Sequence, residues 1–473
     1  MSKYRTLFKD IGIFAIGSIG SKLVLFFMVP LYTNCLSTEQ YGVTELIYTF
    51  QQLIVPFVSL VIFDAVIRFG LSKNEKKENV LKCSLFILAI GATLTVCVTP
   101  LLNLYSTIST WRWFVCVYVL ISMLLSVLQN YLKVLKKNLF FAIVSIGQTI
   151  VLAVSNILFL LIADYGITGY MLSIFLSHFV AIVFCCIFGR TFSELKKGKL
   201  DWNLLKRMII FSAPLILNNI SWWIIHSSDR IMVELMISTA ALGIYTVAAK
   251  IPSLINVVTS IFQQAWGISS IKEIENDNDK TYYSNVFLYL FTFVFFASIC
   301  IMLVLKAFMS IYVGKDFFEA WLYVPLLLVG ACFSTISSYF GSLYGALKKS
   351  VNNMITTIVA ALINIAVNFV CIHYFGIIGA AIGTATAYFV VAIIRMADCN
   401  RYVKFDLHLV YFFVDSGLVI TLAILISAGI NIYISSVVAI ALFLIFNAKT
   451  IYGLVKSIIA KFGSKKNQSQ EVG

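Results

Sequence analysis

Ile11-Gly-Ile-Phe-Ala-Ile-Gly-Ser-Ile-Gly-Ser-Lys22-Leu-Val-Leu-Phe-Phe-Met-Val-Pro-Leu-Tyr32 is an apolar run broken by one charge, Lys22. About 20 such residues make a helix long enough to cross the hydrocarbon core of a bilayer. The basic stretch Met1-Ser-Lys-Tyr-Arg-Thr-Leu-Phe-Lys9 precedes it, and no small-x-small cleavage site closes it. It therefore reads as a retained first span and not as a removed signal peptide. Runs of this length recur down the chain and predict about fourteen spans: 10–33, 41–66, 82–104, 112–132, 138–162, 167–189, 208–236, 241–266, 284–306, 320–345, 351–373, 377–399, 408–428 and 432–455. The fold class is thus an all-α polytopic membrane protein.

The rest of the composition agrees. Of 473 residues 60% are hydrophobic and only 12% charged, with a mean hydropathy of +0.95, whereas soluble domains carry about 25% charged residues. A soluble enzyme, a nucleic-acid-binding protein and a disordered chain are all excluded. The net charge of +14 comes from short clusters between apolar runs. Assigned to alternate loops, twenty-six Lys and Arg fall on one side, and only Arg112, Lys306 and Lys315 on the other. The positive-inside rule then places both termini in the cytoplasm. Loops on the far side are short, the longest near Ala307–Ala320, so function is expected within the helical bundle. Most of the ten cysteines, such as Cys83, Cys116 and Cys185, lie within apolar runs without disulfide or metal spacing. No metal or cofactor is expected.

The two halves repeat at a shift of a little over 200 residues. Leu36-Ser-Thr-Glu-Gln-Tyr-Gly42 matches Ile237-Ser-Thr-Ala-Ala-Leu-Gly243, and Leu135-Lys-Lys137 matches Leu347-Lys-Lys349. Asn156 matches Asn368, and Tyr165-Gly-Ile-Thr-Gly169 matches Phe375-Gly-Ile-Ile-Gly379. Six spans separate equivalents, so the repeats run parallel, a recurring transporter architecture. The expected organisation is a six-helix half over 1–200, a second over 201–405, and two additional helices with a basic tail over 406–473. All six prolines (Pro30, Pro56, Pro100, Pro214, Pro252, Pro325) lie in or at the ends of predicted spans, as hinges or as packing kinks that neighbouring helices tolerate.

A charge at mid-membrane costs at least about 2.5 kcal/mol, so it is expected to face the bundle interior. Lys22 lies near the middle of the first span. In the seventh, Asn219, Trp223, His226 and Arg230 follow one another at steps of four, three and four, a single helical stripe. Asp229 adjoins it. Lys250 sits in the eighth span at a depth within about 5 Å of that of Arg230, so the two cations are expected to face one outer-half cavity. Arg68, one turn from Asp64, and Arg395, three residues before Asp398, lie near cytoplasmic ends, where snorkelling anchors compete with cavity roles. Glu45, with Tyr48 and Gln52 along its face, and Asp64 are the ion-coupling candidates. Asp415 has no evident partner. Buried Lys and Arg suit a phosphate-bearing substrate, and Trp222, Trp223 and Trp266 offer aromatic faces to sugar rings.

These motifs resemble a known family. The basic N-terminus, the first-span lysine, Leu-x-x-x-Gln-Tyr-Gly at its exit, Ser228-Asp-Arg-Ile-Met-Val233 and Leu242-Gly-Ile-Tyr-Thr-Val-Ala-Ala-Lys-Ile-Pro252 are similar to those of the Wzx-like polysaccharide repeat-unit flippases. Those belong to the multidrug/oligosaccharidyl-lipid/polysaccharide exporter superfamily. The resemblance implies a bacterial inner-membrane protein, not an enzyme. It would move undecaprenyl-pyrophosphate-linked oligosaccharide from the cytoplasmic to the periplasmic leaflet for O-antigen, lipopolysaccharide or capsule synthesis. It further implies two halves around a V-shaped cationic cavity with alternating access, counterflow of protons or sodium, and membrane lipids, a polysaccharide polymerase and a chain-length regulator as partners. Cavity roles pass to Lys22, Asp229, Arg230 and Lys250, and less directly to Arg68. Acidic residues in the bundle are about as numerous as cations, a departure from a simply cationic cavity. The alternatives are a drug or organic-cation antiporter and a peptidoglycan-precursor flippase of the same superfamily. A membrane polymerase or acyltransferase would need catalytic groups in an outer loop, which the short outer loops disfavour.

Overall fold

A computed structural model describes residues 20–72, 74–276 and 280–470, with the backbone alone for a few positions in α11 and for most of the chain beyond 450. The basic N-terminus, the start of the first expected span and Lys73 lie outside the described residues. Seventeen α-helices are described: α1 (20–35), α2 (Thr38–Val58), α3 (Ile62–Gly70), α4 (Lys77–Val98), α5 (Ser106–Ser109), α6 (Arg112–Val134), α7 (Asn138–Asn156), α8 (Gly166–Gly189), α9 (Thr191–Lys197), α10 (Trp202–Met236), α11 (Thr239–Asn276), α12 (Lys280–Tyr312), α13 (Val324–Ala346), α14 (Ser350–Phe375), α15 (Ile377–Val403), α16 (Leu409–Ser427) and α17 (Ile432–Gln470). No strand occurs among the described residues.

Among the described residues, twelve helices are long and apolar enough to cross a membrane, or thirteen when α2 and α3 count as one bent span. The remaining expected span is α1, described only from residue 20 onward. The all-α polytopic architecture is thus borne out, with longer helices than expected. α10 has 35 residues, about 50 Å at 1.5 Å per residue. Asp201 sets its start by accepting hydrogen bonds from the backbone N–H groups of Asn203 and Leu204 at 2.9 and 3.0 Å, which satisfies two orphan donors. Ser37 and Gln40 begin α2 with a reciprocal capping box, both bonds 3.1 Å.

The chain forms two compact units, one of residues 1–247 with 312–318 and the other of 248–311 with 319–473. In the first, α6 packs against α3, α4 and α8, and α10 lies along α2 and α3. The expected 41–66 span is broken there. Leu60 and Val61 both take left-handed backbone angles, φ 50° and 52°, and α3 departs from α2 at 53°. Ser59 Oγ holds the break by donating to Val55 O at 2.7 Å and accepting from Val61 N at 3.2 Å. In the second unit, α13, α14 and α15 pack closely. Phe287, Phe291, Phe295 and Phe333 surround Phe412 of α16 with ring centroids 5.7–6.4 Å away.

The internal repeat is visible in the backbone. Lys136 and Lys348, equivalent in the two Leu-Lys-Lys motifs, both have φ 58°. Lys137 N donates to Leu132 O at 2.9 Å, and Lys349 N to Tyr344 O at 2.8 Å, so the same C-terminal turn ends α6 and α13. Gly166 and Gly376 are a second left-handed pair, φ 51° and 61°. The Ser-Thr motifs meet. A Cβ on Gly42 would lie 2.0 Å from Thr239 O, and one on Gly243 would lie 2.0 Å from Thr38 O. Only glycine permits this reciprocal approach of the first turns of α2 and α11.

Candidate functional site

The first unit assembles a charged site from α2, α10 and the start of α11. Along α10, Trp223 and Arg230 stand two turns apart on one face. Arg230 forms an ion pair with Glu45 of α2, and Trp223 Nε1 donates to the backbone oxygen of Thr49, one turn further along α2, at 3.0 Å. Contacts that ascend one helix while descending the other make α2 and α10 antiparallel. Glu45 is buried, and the Arg230 side chain keeps 18% of its surface exposed. Asp229 Oδ1 accepts from the backbone N of Arg230 at 2.9 Å, and Tyr245 of α11 donates its hydroxyl to Asp229 Oδ2. The guanidinium of Arg230 is thus paired with Glu45, while the Asp229 carboxylate caps the Arg230 backbone N–H and accepts from Tyr245. A buried guanidinium held this way is a ready partner for a planar or tetrahedral oxyanion.

Other expected members are dispersed. Asn219 turns inward to its own helix, its amide donating to Leu215 O at 2.9 Å. His226 stacks on Trp222 with centroids 5.5 Å apart. Lys22 lies on α1 with its side chain exposed, and no ion pair to it occurs among the described residues. Lys250 falls in the second unit on α11. Two expected pairings are corrected. Arg68 is exposed at the end of α3, and no ion pair joins it to Asp64, half-buried one turn back on the same helix, among the described residues. Arg395 does not pair with Asp398 and does not snorkel. It is buried, donating to Thr356 Oγ1 at 3.0 Å, Ser337 O at 3.1 Å, Asn353 O at 3.3 Å and Thr357 Oγ1 at 2.8 Å. Asp398 accepts instead from Tyr344 and Asn352, both at 2.8 Å.

Tyr245 and Thr49 are site residues that sequence reasoning missed. Tyr245 could have been found, because Asp229 and Tyr245 lie at similar distances from the Ile237–Ser238 turn, and a hairpin of two helices brings such positions level. Thr49 contributes only a backbone oxygen and leaves no signal.

Helix count and arrangement define a multi-pass membrane protein with the fold of the MOP-superfamily transporters. That fold is similar to the lipid II flippase MurJ in an inward closed conformation, with TM-score 0.68 and 14% identity over 94% of this chain and 100% of that one. It is also similar to an inward-facing multidrug resistance MATE family transporter of the MOP superfamily, with TM-score 0.67 and 15% identity over 82% of this chain and 94% of that one. Residues 7–267, more than half of the chain, match the family described as polysaccharide biosynthesis protein, and the chain belongs to that family. Among curated relatives, protein 1 of the Lsg locus of Haemophilus influenzae is 24% identical over 269 residues, 55% of this chain and 64% of the relative. A membrane protein of the same organism is 24% identical over 254 residues, 53% of this chain and 62% of the relative. The chain spans less than two thirds of the length of these curated relatives.

Proposed function

We propose that the protein is a flippase that carries undecaprenyl-pyrophosphate-linked oligosaccharide from the cytoplasmic to the periplasmic leaflet of a bacterial inner membrane, both termini being cytoplasmic. The buried Arg230–Glu45 ion pair is the observation that carries this reading. A guanidinium within a membrane span marks a candidate functional site, and unlike Arg395, which neutral oxygens hold, Arg230 is held by an acid that an anion could replace. Arg230 is paired with Glu45, so the pair carries no isolated charge, and an arriving pyrophosphate exchanges one anionic partner for another. The displaced Glu45 carboxylate then needs its own cation, which gives a proton or sodium ion a place to act; Asp64 is a second coupling carboxylate. Lys22, Lys250, Asp229 and Arg68 complete the proposed substrate path, with Trp223 and Asn219 beside Arg230. We read 1–200 and 201–405 as six-helix halves and 406–473 as an appendage. An organic-cation antiporter would need a carboxylate free to take its substrate; Glu45 is committed to Arg230, which leaves that reading to Asp64 and Asp415.

Complementation of a repeat-unit flippase deletion, with lipid-linked intermediates followed in each leaflet, tests the reading. Charge-assisted hydrogen bonds contribute about 1.5–3 kcal/mol, so Arg230→Ala should lower export roughly tenfold to a hundredfold at normal membrane abundance. Lys22→Ala should do the same. Wild-type export by both variants would discredit the cationic path. Glu45→Gln should weaken the response of export to collapse of the proton gradient, and an unchanged response would remove Glu45 from coupling.

A further inference from the structure

The second unit holds an acid that the proposed flipping does not use. Asp415 lies in α16 with none of its surface exposed, and Asn447, equally buried, faces it from α17. Asn447 Nδ2 donates to Asp415 Oδ1 at 2.8 Å and to Phe443 O, its own helix backbone, at 3.2 Å. The other two oxygens of the pair, Asp415 Oδ2 and Asn447 Oδ1, have no hydrogen-bond partner. Both are acceptors. An ionised Asp415 would therefore place a bare negative charge and an orphan amide oxygen together inside a membrane bundle, which is expensive twice over.

We propose that Asp415 is a proton-binding site: the carboxyl is held neutral, with its proton on Oδ2 and donated to Asn447 Oδ1. One proton supplies the donor that both orphan oxygens lack. The result is a cyclic acid–amide pair in which Asn447 donates through Nδ2 and accepts through Oδ1, while Asp415 accepts through Oδ1 and donates through Oδ2. No cation competes for the carboxylate among the described side chains. Those that carry charge on the helices packed against it are Lys449 of α17 and Lys280 and Lys306 of α12, and none forms an ion pair with it. α13 carries no charge, and its Tyr339 and Tyr344 donate to Tyr283 O and Asp398. Loss of the proton would turn the clasp into a carboxylate facing an amide oxygen, so α16 and α17 are joined while it is bound and loosened when it leaves.

Infrared spectroscopy of the full chain in detergent or liposomes reads this without reference to transport. At neutral pH the wild type should show a protonated-carboxyl band that Asp415→Asn lacks. The asparagine variant, a neutral isostere, should melt close to wild type, Asp415→Ala clearly lower. Wild-type melting temperature should fall on alkaline titration more than that of Asp415→Asn. Should Asp415→Asn fail to assemble, Asn447→Leu asks the same question: the band should persist and shift to higher frequency as its acceptor disappears. Identical spectra for wild type and Asp415→Asn, or absence of the band from Asn447→Leu, would overturn the proposal.

Discussion

Arg230 and Glu45 form one unit of chemistry. Removing either partner leaves a buried charge unpaired, which is worse than removing both. A double-mutant cycle with Glu45→Ala and Arg230→Ala, read from thermal unfolding in detergent, should therefore give a coupling of about 1–3 kcal/mol; simple additivity would mean that the pair contributes nothing. Arg230 was legible in the sequence because a guanidinium six residues from the end of an apolar span is conspicuous. Its pairing was not legible. Glu45 stood out separately as an ion-coupling candidate, since a single sequence does not say which face of α2 meets which face of α10. Arg395 failed for the reverse reason. Asp398 looked like its partner by spacing, yet the oxygens that hold the guanidinium come from α13 and α14, including two backbone carbonyls that no side-chain pattern announces.

At the scale of elements, the apolar run from 41 to 66 predicted one helix, and the break at Leu60–Val61 went unseen. Pro56 hinted at a bend, but left-handed angles are expected of glycine or asparagine, not of a β-branched valine. Buried contacts hold the strain in place: Val61 is fully buried, and the backbone of Val58 presses so closely on Gly91 of α4 that a Cβ there would lie 2.1 Å from its oxygen. The paired first turns of α2 and α11 were legible as matching motifs, although their mutual contact was not. Gly42→Ala and Gly243→Ala should each destabilise the protein by about 1–3 kcal/mol through overpacking against a backbone carbonyl. Once one glycine has forced the turns apart, the second substitution should cost less. Full additivity in their melting temperatures would show that the two contacts are independent.

For the whole molecule, span number and the duplicated plan could be read from apolar runs and four motif matches, because hydrophobic length and turn chemistry are local properties. Orientation rests on where lysines and arginines fall. In a cysteine-free background, Ser238→Cys, an exposed position between α10 and α11, should react with a membrane-impermeant maleimide in intact cells. Lys348→Cys should react only after permeabilisation. The opposite pattern would invert the topology. The repeat motifs divide the chain near 200, and residues 312–318 fold with the first compact unit, Tyr312 donating to Phe26 O at 2.7 Å and Gly314 N donating to Thr33 Oγ1 at 3.0 Å.

Because α10 runs unbroken for 35 residues, it behaves mechanically as a lever. With a length of about 50 Å, tilting it by ~10° about one end sweeps the other through roughly 9 Å. A modest repacking beside Arg230, near one tip, would be magnified at the opposite tip, with Pro214 inside the helix as the point where the rod lacks a backbone hydrogen bond.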